Sequence, residues 1–493
     1  MLFNSLQFAI FFPVAALIYF VIPKKMRCLW LLLASYVFYM SASPKYVVFL
    51  LFSTLVTYAG GLLVERAEAK KKKFYMGLTF LCSLGVLGLL KYFDFLLGNV
   101  NALLGLAGIA PVSKPFSIGL PVGISFYTFQ SLGYMVDVYR GDTKAERNIL
   151  NYALFVSFFP VILSGPIERS GNLLRQIREL PEKALWNYGR VAGGLTLLLF
   201  GLFQKMVIAD RIAILANQVF DNYHMYGTFG LTVGAIAYTI QIYCDFASYS
   251  MMALGVAKVL DFGIIENFQT PYFSRSMREF WRRWHISLSS WFRDYLYIPL
   301  GGSRCGKWRR YFNLMVTFLA SGLWHGASWG FVVWGGLHGL YQVIGYELRG
   351  MKDRINEKLH TKTDCLSYKL GQVLVTFCLT AFAWIFFRAG SLRDAFGYIR
   401  RMVTKPDPWC LFNGELYNLG LDRVEMNVLF IGLLILLLVD LVRYFKKQQL
   451  DVYLAKQNLW FRWGVLLVLI AAVAIFGIYG PGYDAQQFIY FQF

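Results

Sequence analysis

The sequence predicts an all-α polytopic membrane protein, and three observations carry that prediction. Of 493 residues, 57% are hydrophobic, 18% aromatic and only 15% charged, against roughly one-quarter charged usage in soluble domains. Apolar runs long enough to cross a hydrocarbon core of about 30 Å recur from one end of the chain to the other. These runs lack the two-residue alternation of a barrel strand, and a backbone inside lipid must satisfy its own hydrogen bonds, which leaves the helix.

Membrane segments are expected at about 6–22, 28–42, 45–64, 74–98, 117–138, 148–164, 189–209, 227–260, 311–322, 328–347, 367–387, 426–445 and 460–479. The first, Leu6 to Ile22, has no basic stretch before it and no A-x-A-like site after it, so it reads as a retained helix. Lys24, Lys25 and Arg27 separate the first two segments and Lys70 to Lys73 the third from the fourth, while the link from Ser41 to Lys45 is nearly neutral. Cytoplasmic loops carry the excess of Lys and Arg, so the N-terminus is expected outside the cytoplasm. The fifth segment, SIGLPVGISFYTFQSLGY from Ser117, holds Gly119, Pro121 and Gly123 close together. Such a break at membrane depth is tolerated only under protein or beside water, which predicts a re-entrant stretch and an internal cavity. The ninth and tenth segments are too short and too rich in glycine for ordinary lipid-facing helices. Basic stretches at Arg304 to Arg310, Arg349 to Lys358 and Arg443 to Lys447 again read as cytoplasmic, so the last segment carries Phe493 outward. No repeat or linker marks a second folded domain. The division expected is a membrane domain over 1–459 and a terminal helix with an aromatic tail over 460–493.

The formal charge of +20 sits mainly in short connectors between apolar runs. Topology and anionic headgroups account for it without nucleic acid. Seven cysteines include no CxxC pair, so neither a zinc site nor a disulfide framework is expected.

Five histidines occur, at 224, 285, 325, 338 and 360. His325 lies in SGLWHGASWGFVVWGGLHG, flanked by Trp324 and Gly326 at the junction of two apolar runs. An ionisable group at membrane depth is costly and reads first as functional; the alternative is a neutral ring bonded to a backbone carbonyl. The GGLHG setting of His338 suits close helix packing equally well. A second constellation, SRSMREFWRRWHISLSSWFRDYLYIPLGG from Ser274 to Gly302, read as one helix puts Trp281, His285, Leu288 and Phe292 in a stripe beside Arg278, Arg282 and Arg293. That pattern suits a helix lying along the headgroups. Its basic face, with Arg282 and Arg283, is also suited to a phosphate-bearing donor such as coenzyme A. Gln130, Asp137, Gln241, Asp245 and Asn267 are buried-looking polar groups, and Asp245 in QIYCDFASYS is the candidate to orient a histidine or bind a substrate hydroxyl. A helix-to-helix hydrogen bond explains it as well.

Together, LPVGISFYTFQSLGYMVDVYRG (Leu120 to Gly141), GLFQKMVIADR (Gly201 to Arg211), QIYCDFASYS, FWRRWHISLSSWFRDYLYIPLGG (Phe280 to Gly302) and the LWHG segment resemble the membrane-bound O-acyltransferase (MBOAT) family, alginate O-acetyltransferase type. The match runs in the family order over nearly the whole chain. The resemblance implies a ring of about 11–12 transmembrane helices around a central funnel, with re-entrant and interfacial helices. It implies that His325 is catalytic and His285 the second site residue, nearer the donor; Trp324, Arg282, Arg283, Gln130 and Asp245 are the candidate substrate-binding residues. It implies acetyl-CoA or an acylated carrier protein as donor and no tightly bound cofactor. An exported polysaccharide, or an SGNH-type transferase beyond the membrane, would receive the acetyl group in a bacterial plasma membrane. The ending FIYFQF, with Phe488, Tyr490 and Phe493, resembles the acyl-carrying tail of a small partner in teichoic acid D-alanylation, which makes Tyr490 a candidate acyl relay; otherwise it is an aromatic tail in the interface.

A D-alanyl transferase using a carrier protein is the nearest rival within the family. A transporter or flippase of envelope precursors also has many helices and broken ones, but it usually shows paired halves and intramembrane carboxylates for ion coupling.

Overall fold

The computed structural model describes residues 1–42, 44–114, 119–183, 186–414, 417 and 419–479. Among them the chain forms helices and no strand. It divides into two compact units, Met1–Leu195 with Ala253–Ile265, and Thr196–Met252 with Glu266–Phe493. In the second unit the Ile478 N–H, just after the last helix, donates to the Met206 carbonyl at 3.0 Å.

In the first unit α1 (Leu6–Val21), α2 (Arg27–Met40) and α3 (Val47–Arg66) follow the expected segments closely. Helix α4 (Ala69–Leu87) takes in the lysines expected in a connector, and a π turn (Gly88–Tyr92) joins it to α5 (Phe93–Leu106). Helix α6 (Ile124–Arg140) starts only after the Gly-Pro-Gly stretch. Gly123, at φ 78°, precedes it, and a Cβ there would stand 2.4 Å from the Ile162 carbonyl oxygen. Helix α7 (Ile149–Ser157) ends well short of residue 164. Pro160 lacks an N–H and pushes the residue before it out of helical backbone, so the chain turns through 158–165 instead. A short α8 (Arg175–Arg178) completes this part.

Helix α9 (Tyr188–Phe203) leads through another π turn (Gln204–Ala209) into α10 (Asp210–Asp221), and α11 (Thr228–Val259) follows. The second unit then holds α12 (Met277–Arg283), α13 (Ile286–Phe292), α14 (Lys307–His325), α15 (Trp329–Lys358), α16 (Leu366–Arg388), α17 (Leu392–Thr404), α18 (Arg423–Lys446), α19 (Leu450–Ala455) and α20 (Leu459–Phe476). Among the described residues six helical stretches are long and apolar enough to cross a membrane: Pro44–Arg66, Ala69–Leu106, Tyr188–Asp221, Leu366–Arg388, Arg423–Lys446 and Leu459–Phe476.

Helices α14 and α15 form a tight hairpin made by glycine. A Cβ on Gly322 would stand 2.3 Å from the Phe331 carbonyl oxygen, and one on Gly335 would stand 2.4 Å from that of Phe318. Only small residues let two helix backbones approach so closely. The hairpin brings the end of α14, and with it His325, against the second turn of α15.

Candidate active site

The segment expected as one interfacial helix is broken at its centre. His285 adopts left-handed backbone, φ 44° and ψ 54°, between α12 and α13. Such a conformation costs a non-glycine residue about 1–3 kcal/mol and persists only where its surroundings impose it. Asn267 supplies that constraint. Its backbone carbonyl accepts from the Ile286 N–H at 3.0 Å, its Oδ1 accepts from the Ser287 N–H at 3.1 Å, and its Nδ2 donates to Ser250 Oγ at 3.2 Å. The first two N–H groups of α13, which no helix can satisfy internally, are thereby held. The break turns His285 off the stripe that Trp281, Leu288 and Phe292 would have shared with it.

His285 and His325 then meet. Their ring centroids are 6.4 Å apart at 61°. Trp324 fills the corner between them, 5.9 Å from His285 and 5.0 Å from His325. Phe246 packs edge-on to His285 at 4.6 Å, and Trp334 and Phe387 flank His325 at 5.1 and 5.3 Å. The two histidines are 1% and 4% exposed. Two imidazoles in an aromatic, low-dielectric pocket suit proton transfer, because a neutral ring offers one lone pair and one N–H.

The other sequence-predicted residues have partners of their own. Asp245 Oδ1 accepts from Lys205 Nζ at 2.5 Å, and the same Nζ lies 2.7 Å from Asp210 Oδ1. All three side chains are at most 5% exposed, a buried ionic cluster built on the π turn, the start of α10 and α11. Arg283 pairs with Glu279 at 2.7 Å and donates to Thr270 Oγ1 at 3.2 Å, so it is engaged within its own unit. Arg282 is exposed. In the first unit Gln130 is consumed by backbone: its Nε2 donates to the Phe155 carbonyl at 2.5 Å and its Oε1 accepts from the Glu168 N–H at 3.1 Å. Tyr490 lies outside the described residues.

Lys205, Asn267 as a clamp, and Trp334 were not assigned roles from sequence. A lysine inside the run 189–209 is a signal in itself, since a charge at that depth needs partners; which carboxylates pair with it is decided by packing. Among the described residues no group of His, Cys, Asp and Glu could hold a metal ion.

Comparison with known proteins now adds to this geometry. The model of the "membrane-bound O-acyltransferase family" matches residues 142–389, a stretch that contains Asp245, His285, His325 and His338. The chain is 35% identical over 451 residues to a protein of Pseudomonas aeruginosa named "Probable alginate O-acetylase AlgI", covering 91% of this chain and 83% of that one. It is 33% identical over 435 residues to the "Peptidoglycan O-acetyltransferase" of Helicobacter pylori, covering 82% and 80%. A "Teichoic acid D-alanyltransferase" of Streptococcus thermophilus shares 31% over 248 residues, 48% of this chain and 59% of its own. A polytopic helical chain carrying the two facing histidines, matched by the family model over half its length and by relatives over most of it, belongs to the membrane-bound O-acyltransferase family and is a membrane-bound O-acyltransferase.

Proposed function

We propose that this chain takes an acetyl group from a thioester donor on the cytoplasmic side, acetyl-CoA, and delivers it across the bacterial plasma membrane for O-acetylation of an extracytoplasmic polysaccharide. The observation that carries the reading is the pair of buried imidazoles, His325 at the end of α14 and His285 between α12 and α13. The relatives named for alginate and peptidoglycan O-acetylation support a polysaccharide as the acceptor class.

A hydroxyl attacks a thioester poorly until a base takes its proton. On this reading His325 is that base. As the new C–O bond forms and the C–S bond breaks, the proton passes from the hydroxyl to His325 and from there to the departing thiolate, so no proton is consumed. His285 stands beside it, toward the donor. A site lined by Trp and Phe keeps water from competing for the thioester. Tyr490 is the proposed first acceptor: its Oη takes the acetyl group, and a polysaccharide hydroxyl, or an SGNH-type transferase carrying it onward, then releases the tyrosine.

The test is the rate at which acetyl esters appear on the cell's exopolysaccharide, with membrane abundance of each variant matched to wild type. His325→Ala is expected to lower it by about 100-fold or more, the scale of a lost general base. Unchanged ester formation at matched abundance overturns the assignment. Tyr490→Phe keeps the ring and removes the hydroxyl; wild-type ester formation in that variant removes the relay and leaves direct transfer.

A further inference from the structure

His338 sits one helical turn beyond Trp334 on α15 and is wholly buried. Sequence alone leaves it open between a functional group and a packing residue, and a phenyl ring would serve packing. The surrounding shell is indeed aromatic. Phe280 lies parallel to the His338 ring at 6.3 Å and 7°, while Trp281 and Trp334 meet it edge-on at 5.0 and 4.9 Å. What an imidazole adds is an acceptor: the Trp281 indole N–H donates to His338 Nδ1 at 3.3 Å. Accepting at Nδ1 fixes the neutral tautomer with its hydrogen on Nε2.

That bond joins the two segments that carry the proposed reaction. Trp281 is on α12, which runs directly into Trp284 and the left-handed His285. His338 is on α15, whose Trp334 stands edge-on to His325 at 5.1 Å and 87° and lies nearly parallel to Trp384 at 5.4 Å and 22°. A chain of contacts therefore runs His285, α12, Trp281, His338, Trp334, His325, and closes on the 6.4 Å gap between the first ring and the last. Aromatic edge contacts alone allow rings to slide; one directed hydrogen bond fixes the register of α12 against α15.

We propose that His338 is a positioning residue for acyl transfer, its bond from Trp281 setting the separation and mutual angle of His285 and His325. The inference rests on the catalytic reading of those two rings and adds a third histidine that touches neither donor nor acceptor. A reacting group displaced by about 1 Å can cost about 100-fold in rate, so a loosened register is expected to show in transfer before it shows in folding.

The experiment compares His338→Phe, His338→Gln, Trp281→Phe and the double variant His338→Phe/Trp281→Phe in full-length protein, by initial rate of ester appearance at matched membrane abundance. Each Phe variant is expected to lose about tenfold or more, and the double variant to fall no further than either single, the signature of one shared bond. His338→Gln presents an amide oxygen to the indole N–H and is expected within about threefold of wild type. Wild-type rate in His338→Phe, multiplicative losses in the double variant, or a Gln variant as slow as the Phe variant each overturns the inference. If His338→Phe fails to accumulate, Trp281→Phe and the Gln variant decide it. His325→Ala runs alongside: its retaining full activity sinks the catalytic reading, whereas an inactive His325→Ala beside a fully active His338→Phe sinks this inference alone.

Discussion

His285 and Glu168 show how single residues are forced into states their own chemistry disfavours. His285 is held in left-handed backbone by the two bonds that Asn267 accepts from the Ile286 and Ser287 N–H groups, with Asn267 itself anchored on Ser250, and the result is a ring turned toward His325 rather than along a helix stripe. Glu168, in the connector after α7, is 1% exposed; its Oε1 accepts from the Ile265 N–H at 2.5 Å and its Oε2 from Asn172 Nδ2 at 2.7 Å. Burial pushes its carboxyl up to about 7, and those donors only partly offset the loss of water. The folded protein therefore holds this proton more tightly than the unfolded chain does. The resulting stabilisation is present below the ordinary carboxylate range and is lost as pH rises through about 7. Glu168→Gln cannot ionise, so its melting temperature relative to wild type in detergent is expected to rise by a few degrees from about pH 5 to about pH 8. A difference that does not change with pH refutes the account.

At the scale of elements, the α14–α15 hairpin is the part on which the site depends, and its spacing is set by hydrogen atoms where other residues carry a side chain. A methyl group on Gly322 meets a backbone carbonyl oxygen at 2.3 Å, which cannot rotate away. Gly322→Ala is expected to cost about 1–3 kcal/mol by overpacking, lowering the detergent melting temperature by a few degrees. Because His325 closes the same helix one turn later, ester formation is expected to fall further than abundance does. A variant melting with wild type would show that the helices part without strain. The π turn at Gln204–Ala209 works differently: it interrupts α9 and α10 and brings Lys205 between Asp210 and Asp245. Inserted turns of this kind recur where a helix must re-aim a side chain. A buried cation left without its carboxylates would cost several kcal/mol, which explains why the three occur together.

Across the whole molecule, the basic connectors still argue for orientation. Arg349, Lys352, Arg354 and Lys358 line the end of α15, and Cys365, exposed, caps the start of α16. The connector between them is expected in the cytoplasm. In a variant retaining Cys365 as its one cysteine, a membrane-impermeant maleimide is expected to react only after permeabilisation. Labelling in intact cells would invert the orientation, and with it the side from which the donor arrives.

The helical class, most segment positions and the candidacy of His325 and His285 were legible in the amino-acid order, because hydropathy over about twenty residues and a few costly polar groups are local properties. Where segments departed from expectation, at Gly123, Pro160 and His285, a backbone conformation or a missing N–H overrode the apolar pattern. The sequence by itself determined that the chain spans a membrane as helices and which residues are too polar to be there without a reason. Who meets whom came from packing: that Asp245 pairs with Lys205, that Gln130 serves the backbone, and that His338 bonds Trp281. The reason is that partner choice is made between residues 25 to 57 positions apart, through helix packing that no local pattern encodes.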